Sequence, residues 1–445
     1  MESLDTGLIV AIAASLVAWG LVSARLERLN VSAPMAFVAL GVVLANDPLS
    51  VIEVNVHGET LRSLAEVTLA LLLFSDAARV NLRVLRHDRG VPSRLLLVGL
   101  PLTIALGAVL AIVLFPDLSP WAAAAIAAAV APTDAALGAQ VVDDTHVPER
   151  IRRVLNVESG LNDGIATPFV TFFIAGTVVD TVVQSSTSLG GALADLAIGV
   201  LVGAAVGLGG GLLLKLSTTR GWASPTYRGI AVVALALMAY ALAIELSGNG
   251  FIGAFVGGIA FGTVVHDPKE REVTLGFDSQ TGELLSLVVW FLFGVVVVTA
   301  LDAATWQTAV FVLLALTVAR MLPVALALLG EGFTRTTIAF MGWFGPRGMA
   351  SVVFAVIAYD SMTGPDARVV LAAITLTVLV SVVAHGFTAA PLSRRYGEHV
   401  AALSADAPER QDVPNLASRP QTIPRHTGTT PLRGASKAAH PSQSS

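Results

Sequence analysis

The sequence ESGLNDG lies inside a long apolar stretch and holds the strongest candidates for chemistry. Residues three or four apart on a helix share a face, so Ser159 precedes Asp163 by one turn and Glu158 precedes Asn162 by one turn. Hydroxyl, amide and carboxylate oxygens suit hard cations better than soft transition metals, and the carboxylate also binds a proton. Polar residues that only join helices are the alternative. Because such joints rarely need an ionised group, we favour a site for an alkali cation and a proton.

Further polar residues lie inside other apolar stretches, where a charge is costly and marks a functional candidate. Thr133 and Asp134 lie about twelve residues from one end of their stretch, or roughly 18 Å at 1.5 Å per residue. Asp163, Arg320 and Arg347 lie at about the same depth from their own ends. We therefore expect all five residues to meet near the middle of the membrane.

Two pairings follow from charge balance in this group. Arg320 is the cation closest in depth to Glu158, so we expect these two side chains to pair and to hold Asn162 in place. A purely structural pair and a mechanistic pair fit the sequence equally well. We expect Arg347 to balance Asp134, which either binds the ion or neutralises a helix end.

Two apolar stretches contain helix-breaking residues at mid-depth. APTDAALG places Pro132 beside Thr133 and Asp134, and GWFGPRGMAS places glycines and Pro346 around Arg347. Irregular backbone inside a membrane lines a cavity or is buried, and paired interruptions point to a transporter site. An ordinary proline kink in each stretch is the alternative. We predict two discontinuous crossing helices of opposite direction, which an inverted repeat requires.

The composition is that of a membrane protein: of 445 residues, 54% are hydrophobic and 13% are charged. The chain has no cysteine, which excludes disulfides, thiolate metal sites and a cysteine nucleophile. No basic residue precedes the first apolar stretch, which argues against a cleaved signal peptide. We predict an all-α polytopic membrane protein of about 13 transmembrane helices, since each stretch is long enough to cross roughly 30 Å of hydrocarbon. The predicted spans are 7–22, 32–47, 61–80, 94–115, 119–142, 150–178, 188–216, 228–247, 250–265, 282–300, 304–330, 336–359 and 367–390.

The distribution of basic residues fixes the expected orientation. With the N-terminus outside, 23 of the 27 Lys and Arg residues fall in cytoplasmic loops or in the C-terminal tail, as the positive-inside rule requires. The tail, 398–445, is rich in Pro, Ser, Thr and Ala, and we predict that it is disordered and cytoplasmic.

Weaker signals lie near the predicted span ends. Asp76 could line a funnel on the inner side, although a solvated helix end explains it equally well. Glu245, Glu283 and His385 are interpreted as satisfied or interfacial side chains rather than as ligands.

With these motifs in place, the chain resembles the monovalent cation:proton antiporters, in their electroneutral NhaP-like branch. LLLFSDA, APTDAALG, NVESGLNDG, SGNGFIGAFVGG, TVARMLP, GPRGMAS and HGFTAAPLSRR occur in the family's order. The resemblance implies that Asp163 is alternately protonated and cation-bound, and that Thr133 and Ser159 are Na ligands with it. It also implies a homodimer with a transmembrane domain over 1–397, whose core helices are about 94–178 and 304–390. Ala135 and Asp76 stand where the family commonly has proline and glutamate, respectively.

The expected function is exchange of a monovalent cation, Na or possibly Li, for a proton across the cell membrane. One titrating carboxylate, with Asn162 rather than a second aspartate beside it, predicts electroneutral one-for-one exchange. Potassium/proton antiport is the nearest alternative, because ligand type does not set cavity size. A gated cation channel and an intramembrane hydrolase are less favoured. The expected partners are the transported ions and the lipid bilayer, and no cofactor, enzyme activity or nucleic-acid partner is expected.

Overall fold

The computed structural model describes residues 6–46, 59–80, 90–181, 189–265, 268–362 and 364–411. Within these ranges the chain forms fifteen α-helices and one short 3-10 helix, Pro408–Arg410, and contains no strand. The helices are α1 Thr6–Arg28, α2 Ala33–Ala45, α3 Glu59–Arg79, α4 Gly90–Leu114, α5 Pro120–Val130, α6 Ala139–Val142, α7 Glu149–Thr181, α8 Leu189–Thr219, α9 Pro225–Glu245, α10 Gly250–Val264, α11 Pro268–Asp302, α12 Trp306–Ala327, α13 Arg335–Trp343, α14 Met349–Ser361 and α15 Pro365–Ala401.

Seven of the described helices are long and apolar enough to cross a membrane: α1, α4, α8, α9, α11, α12 and α15. Four further apolar helices, α2, α5, α10 and α14, are shorter. The predicted all-helical fold with multiple apolar helices is therefore confirmed, and the number of crossings stays a prediction.

Side-chain caps fix where several helices begin. The Ser119 hydroxyl accepts the Ala122 N–H at 3.1 Å at the start of α5, and Asn249 Oδ1 accepts the Ile252 N–H at 3.1 Å at the start of α10. Each cap satisfies an amide that has no partner within its helix. Polar residues between apolar stretches thus set the helix boundaries locally.

Close backbone packing joins α10 to α3. A Cβ atom at Gly258 would lie 2.2 Å from the Phe74 carbonyl oxygen, so only glycine fits there. This contact accounts for the glycine-rich run SGNGFIGAFVGG, because small residues let membrane helices approach closely.

Several predicted boundaries differ from those of the structure. The span predicted at 282–300 is the C-terminal part of α11, which begins at Pro268. The tail predicted to be disordered from 398 is helical to Ala401, and Glu409 is buried. Tail residues beyond 411 lie outside the described residues.

Hydrogen bonds to the helical domain explain why the first part of the tail is ordered. Glu409 Oε1 accepts the Thr334 N–H at 2.9 Å and the Thr337 hydroxyl at 2.7 Å, and Arg150 Nη1 donates to the Pro408 carbonyl at 2.6 Å. Composition reports whether a segment can form its own core. It does not report whether the segment can bind a surface that other helices already provide.

Candidate functional site

Two helical interruptions lie against each other. The first separates α5 from α6 and contains residues 131–138, and the second separates α13 from α14 and contains residues 344–348. The Asp134 N–H donates to the Pro346 carbonyl at 2.8 Å, which joins the two segments directly. Both interruptions fall at the proline and glycine positions that the sequence singles out.

Asp134 caps the start of α14. Its Oδ2 accepts the Met349 N–H at 3.0 Å, and its Oδ1 accepts the Ala136 N–H at 2.7 Å and the Leu137 N–H at 3.0 Å. A carboxylate at a helix N-terminus is stabilised by unpaired amides and by the helix dipole. Of the two roles that the sequence leaves open for Asp134, neutralising a helix end therefore has a geometric basis.

Gly348 allows that cap to form. A Cβ atom at this position would lie 2.0 Å from Asp134 Oδ2, closer than any real contact. The glycine is needed because the carboxylate occupies the space where a side chain would begin.

Arg347 neutralises the opposite helix end. The side chain is fully buried, and its Nη1 donates to the carbonyl oxygens of Ala131 at 2.9 Å and Pro132 at 3.3 Å, just past the end of α5. A cation is favourable at a helix C-terminus. Each interruption thus supplies the charge that stabilises a helix end of the other: Asp134 serves α14 and Arg347 serves α5.

Three candidate ligands come together where the first interruption meets α7. Thr133 Oγ1 lies 2.9 Å from Ser159 Oγ, and Asn162 Nδ2 donates to Thr133 Oγ1 at 2.6 Å. All three residues are buried. Asn162 Oδ1 has no hydrogen-bond partner among the described residues, so it is a buried acceptor that a bound cation could satisfy.

Asp163 follows Asn162 on α7 and stands one turn after Ser159. Its side chain is half-buried, and its carbonyl oxygen accepts the Thr167 hydroxyl at 2.7 Å. Helix α7 is continuous through Asp163, which fixes the backbone of this residue. Thr133 of the first interruption contacts Ser159 and Asn162 on the same turn of α7.

Glu158 and Arg320 form the ion pair that the sequence predicts. Arg320 Nη1 lies 2.5 Å from Glu158 Oε1, and each side chain is only 3% exposed. The predicted link from this pair to Asn162 is wrong, because the amide group bonds to Thr133 instead. The pair is nevertheless close to the interruptions: a Cβ atom at Gly345 would lie 2.7 Å from Arg320 Nε and 2.9 Å from Thr133 Cγ2.

Asp76 lies near the end of α3, half-buried, within electrostatic range of the buried Asp278 on α11. The neighbouring Arg79 donates through Nη2 to the Ser279 hydroxyl. Asp278 is absent from the sequence-based candidates because the predicted span begins only at 282. A helix extended to its observed start at Pro268 would include Asp278, and the charge of this residue inside a helix is the signal that could identify it.

Two other buried residues of α15, Ser381 and His385, contact the second interruption. Ser381 is not among the sequence-based candidates, whereas His385 is the satisfied side chain that the sequence predicts. His385 was placed near a helix end, whereas α15 continues for sixteen residues beyond it, to Ala401. The HG motif inside an apolar stretch was the only local signal.

The site is an oxygen-rich cluster rather than a transition-metal centre in the part of the chain that the structure describes. No three His, Cys, Asp or Glu side chains come together there to hold a metal ion. The Thr133, Ser159 and Asn162 oxygens are chemically suited to a hard monovalent cation, and Asp163 directly follows Asn162 in the sequence.

Comparisons with known proteins give a consistent result. A family model described as "Sodium/hydrogen exchanger, transmembrane" matches residues 11–395. A structure of the sodium proton antiporter MjNhaP1 from Methanocaldococcus jannaschii at pH 8 is similar, with a TM-score of 0.70 and 16% identity, covering 85% of this chain and 98% of that chain. A three-dimensional electron-microscopy map of the same antiporter gives a TM-score of 0.69 and 18% identity, covering 89% and 98% of the two chains. At these identities the likeness shows the fold.

Proposed function

The chain belongs to the sodium/hydrogen exchanger family, and from this we propose that it exchanges sodium ions for protons across the cell membrane. Asp163 is the proposed exchange group, with Thr133, Ser159 and Asn162 as neighbouring ligands. The observation that carries the proposal is the buried cluster of these three oxygen-bearing side chains, in which Asn162 Oδ1 has no partner among the described residues. A cation beside Asp163 would satisfy that acceptor.

Exchange follows from competition at one carboxylate. A proton and a sodium ion each neutralise the charge of Asp163, so binding of one disfavours binding of the other. If the site faces each side of the membrane in turn, only the two neutralised forms cross readily, and influx of one ion is coupled to efflux of the other. Potassium could use the same chemistry, and the test below distinguishes it.

The paired interruptions supply a fixed frame for this site. Because Asp134 and Arg347 are held by backbone groups of the opposite segment, the frame keeps its charge balance whether or not a cation is bound. We propose that the two segments belong to discontinuous crossing helices related by an inverted repeat. In this scheme the thirteen spans comprise a core, about 94–178 and 304–390, and a scaffold.

Helix packing supports this division. In the scaffold group, α8, α9 and α10 pack on one another, and α10 and α11 pack on α3. In the core group, α5 packs on α4, α7 and α15, while α12 and α14 also pack on α15. We propose that the scaffold forms a homodimer, with the N-terminus outside and the tail in the cytoplasm, and light scattering of the purified protein tests the dimer.

Proton flux in proteoliposomes tests the proposed function. With a pH-sensitive dye inside, addition of Na should move protons, addition of Li should do so at a comparable level, and K should have little effect. Asp163→Asn should abolish the response, whereas Asp302→Asn, at the exposed end of α11, serves as the matched carboxylate control and should retain it. A larger response to K than to Na would favour a potassium antiporter, and retained exchange by Asp163→Asn would remove Asp163 from the site.

The one-for-one ratio is tested separately. A membrane potential imposed with potassium and valinomycin should neither drive nor alter exchange by the wild type, because one charge moves in each direction. Asn162→Asp adds a second carboxylate to the cluster, and we expect its exchange to respond to the potential. A clear response of the wild type would contradict electroneutral exchange.

A further inference from the structure

The second interruption rests on a buried face of α15. Ser381 is fully buried and His385 is 4% exposed, and the two residues stand one turn apart on this helix. Neither residue belongs to the ligand cluster or to the charged groups already described. Their contacts are with the backbone at the two ends of the interruption.

A chain of hydrogen bonds connects these ends through α15. The Arg347 N–H donates to Ser381 Oγ at 2.7 Å, Ser381 Oγ lies 3.1 Å from His385 Nδ1, and His385 Nε2 lies 2.8 Å from the Trp343 carbonyl oxygen. His385 Nδ1 also lies 2.8 Å from the Ser381 carbonyl oxygen. Both carbonyl oxygens can only accept, so each is bonded when the ring nitrogen that faces it carries a proton. Ser381 Oγ accepts the Arg347 N–H in either tautomer.

The two ends of this series of hydrogen bonds are the Arg347 N–H and the Trp343 carbonyl, which an uninterrupted helix would join directly. In an α-helix the N–H of residue 347 donates to the carbonyl of residue 343. That bond is missing here because α13 ends at Trp343. Ser381 and His385 take its place, which satisfies a buried N–H that would otherwise be costly.

Additional contacts hold the same end of α13. The rings of Trp343 and His385 stack with centroids 5.0 Å apart, and Trp343 Nε1 donates to Thr388 Oγ1 at 3.0 Å. The carbonyl of Trp343 also accepts the Gly345 N–H at 2.8 Å. The interruption is therefore fixed from α15 on one side, while its other side meets the first interruption.

We propose that Ser381 and His385 are positioning residues for cation exchange, an inference that rests on the proposed function. They fix the Arg347 backbone, and the adjacent Pro346 carbonyl holds Asp134 through the Asp134 N–H. Thr133 precedes Asp134 directly. Loss of the Ser381 hydroxyl would thus shift a cation ligand without removing one.

The kinetic test compares Ser381→Ala with Thr377→Val in proteoliposomes. Thr377 is a fully buried hydroxyl one turn away on α15 whose bond, at 2.6 Å, is to the Ala373 carbonyl of its own helix. We expect Ser381→Ala to raise the KM for Na about ten-fold, equivalent to about 1.4 kcal/mol, with a smaller change in kcat. Thr377→Val should leave KM unchanged. A purely structural role would lower the amount of folded protein in both variants and leave KM alone.

His385 provides an independent pair. His385→Leu removes both ring nitrogens and should raise KM, whereas His385→Gln keeps a donor for the Trp343 carbonyl and should restore much of the affinity. Equal KM values for the leucine and glutamine variants would overturn the role assigned to His385.

Amide hydrogen exchange tests the hydrogen bonds from Arg347 through Ser381 and His385 to Trp343, here called the relay, without relying on transport. The amide of Arg347 should be protected in the wild type and in Thr377→Val, and should exchange at least ten-fold faster in Ser381→Ala. Unchanged protection in Ser381→Ala would overturn the relay even if the wild type transports sodium. Absence of sodium/proton exchange by the wild type, with protection lost in Ser381→Ala, would instead overturn the proposed function and leave the relay standing.

Discussion

Replacing Glu158 alone should destabilise the protein more than replacing Glu158 and Arg320 together. The perturbations are Glu158→Leu, Arg320→Met and the double variant. In the single variant Glu158→Leu, a buried guanidinium loses its carboxylate partner and remains within electrostatic range of Arg347. In the double variant neither charge remains.

The magnitude follows from the geometry of the pair. At 2.5 Å and an effective dielectric constant of about 20, Coulomb attraction is roughly 6 to 7 kcal/mol. Desolvation costs several kcal/mol per ion and offsets most of this gain, the more so because Arg320 Nε and Nη2 have no hydrogen-bond partner among the described residues. Removing one partner should cost about 3–5 kcal/mol, whereas removing both should cost about 1 kcal/mol or less.

Thermal unfolding of the purified variants, followed by tryptophan fluorescence, provides the assay. The double variant should unfold at a temperature close to that of the wild type, and both single variants should unfold at clearly lower temperatures. If the double variant instead unfolds at the temperature expected from adding the two single effects, Glu158 and Arg320 are not energetically coupled.

Two further predictions concern the interruptions and the tail. Gly348→Ala should displace Asp134 from the start of α14, lower the free energy of unfolding by about 1–3 kcal/mol and remove most exchange. Gly160→Ala should be tolerated, because open space surrounds Gly160. Equal exchange activity of the two variants would contradict this prediction. Burial would raise the pKa of Glu409, but hydrogen bonds at the start of α13 outweigh burial and hold this pKa below its ordinary value. The ionised carboxylate therefore stabilises the docked tail fully above the ordinary pKa. This stabilisation is lost as the pH falls through the lowered pKa. Because the chain has no cysteine, a fluorophore on Ala405→Cys can report release, which should occur in acid for the wild type and already at neutral pH after Glu409→Ala; no release in either would refute the docking.

Local sequence signals predict the parts of the site that depend on local chemistry. Pro132 and Pro346 lack an N–H and stand beside a charged residue at mid-span, and the two features together indicate the interruptions. Proline alone is not sufficient, because Pro168 lies within the continuous helix α7. The helical spacing of Ser159 and Asp163 follows from the same kind of rule. Depth counting was sufficient to pair Glu158 with Arg320, because a buried charge needs a partner.

Contacts between distant segments could not be predicted in the same way. Asp134 caps Met349, 215 residues further along the chain, and nothing near either residue encodes that approach. The sequence places His385 near a helix end because hydropathy ends its span at 390, whereas α15 continues to Ala401. Glu409 was missed because the composition of the tail describes its own lack of a core and not the surface available at α13.

Electroneutral exchange requires that one proton leaves the protein for each sodium ion bound, and we expect Asp163 to release it. Isothermal titration calorimetry of sodium binding, performed in buffers of different ionisation enthalpy at a series of falling pH values, counts this proton. The release reaches one per sodium ion only where the sodium-free carboxyl is protonated. We expect the release by the wild type to approach one proton per sodium ion as the pH is lowered, and the release by Asp163→Asn to be absent. Sodium binding without proton release at every pH, or unchanged release by Asp163→Asn, would remove Asp163 from this role.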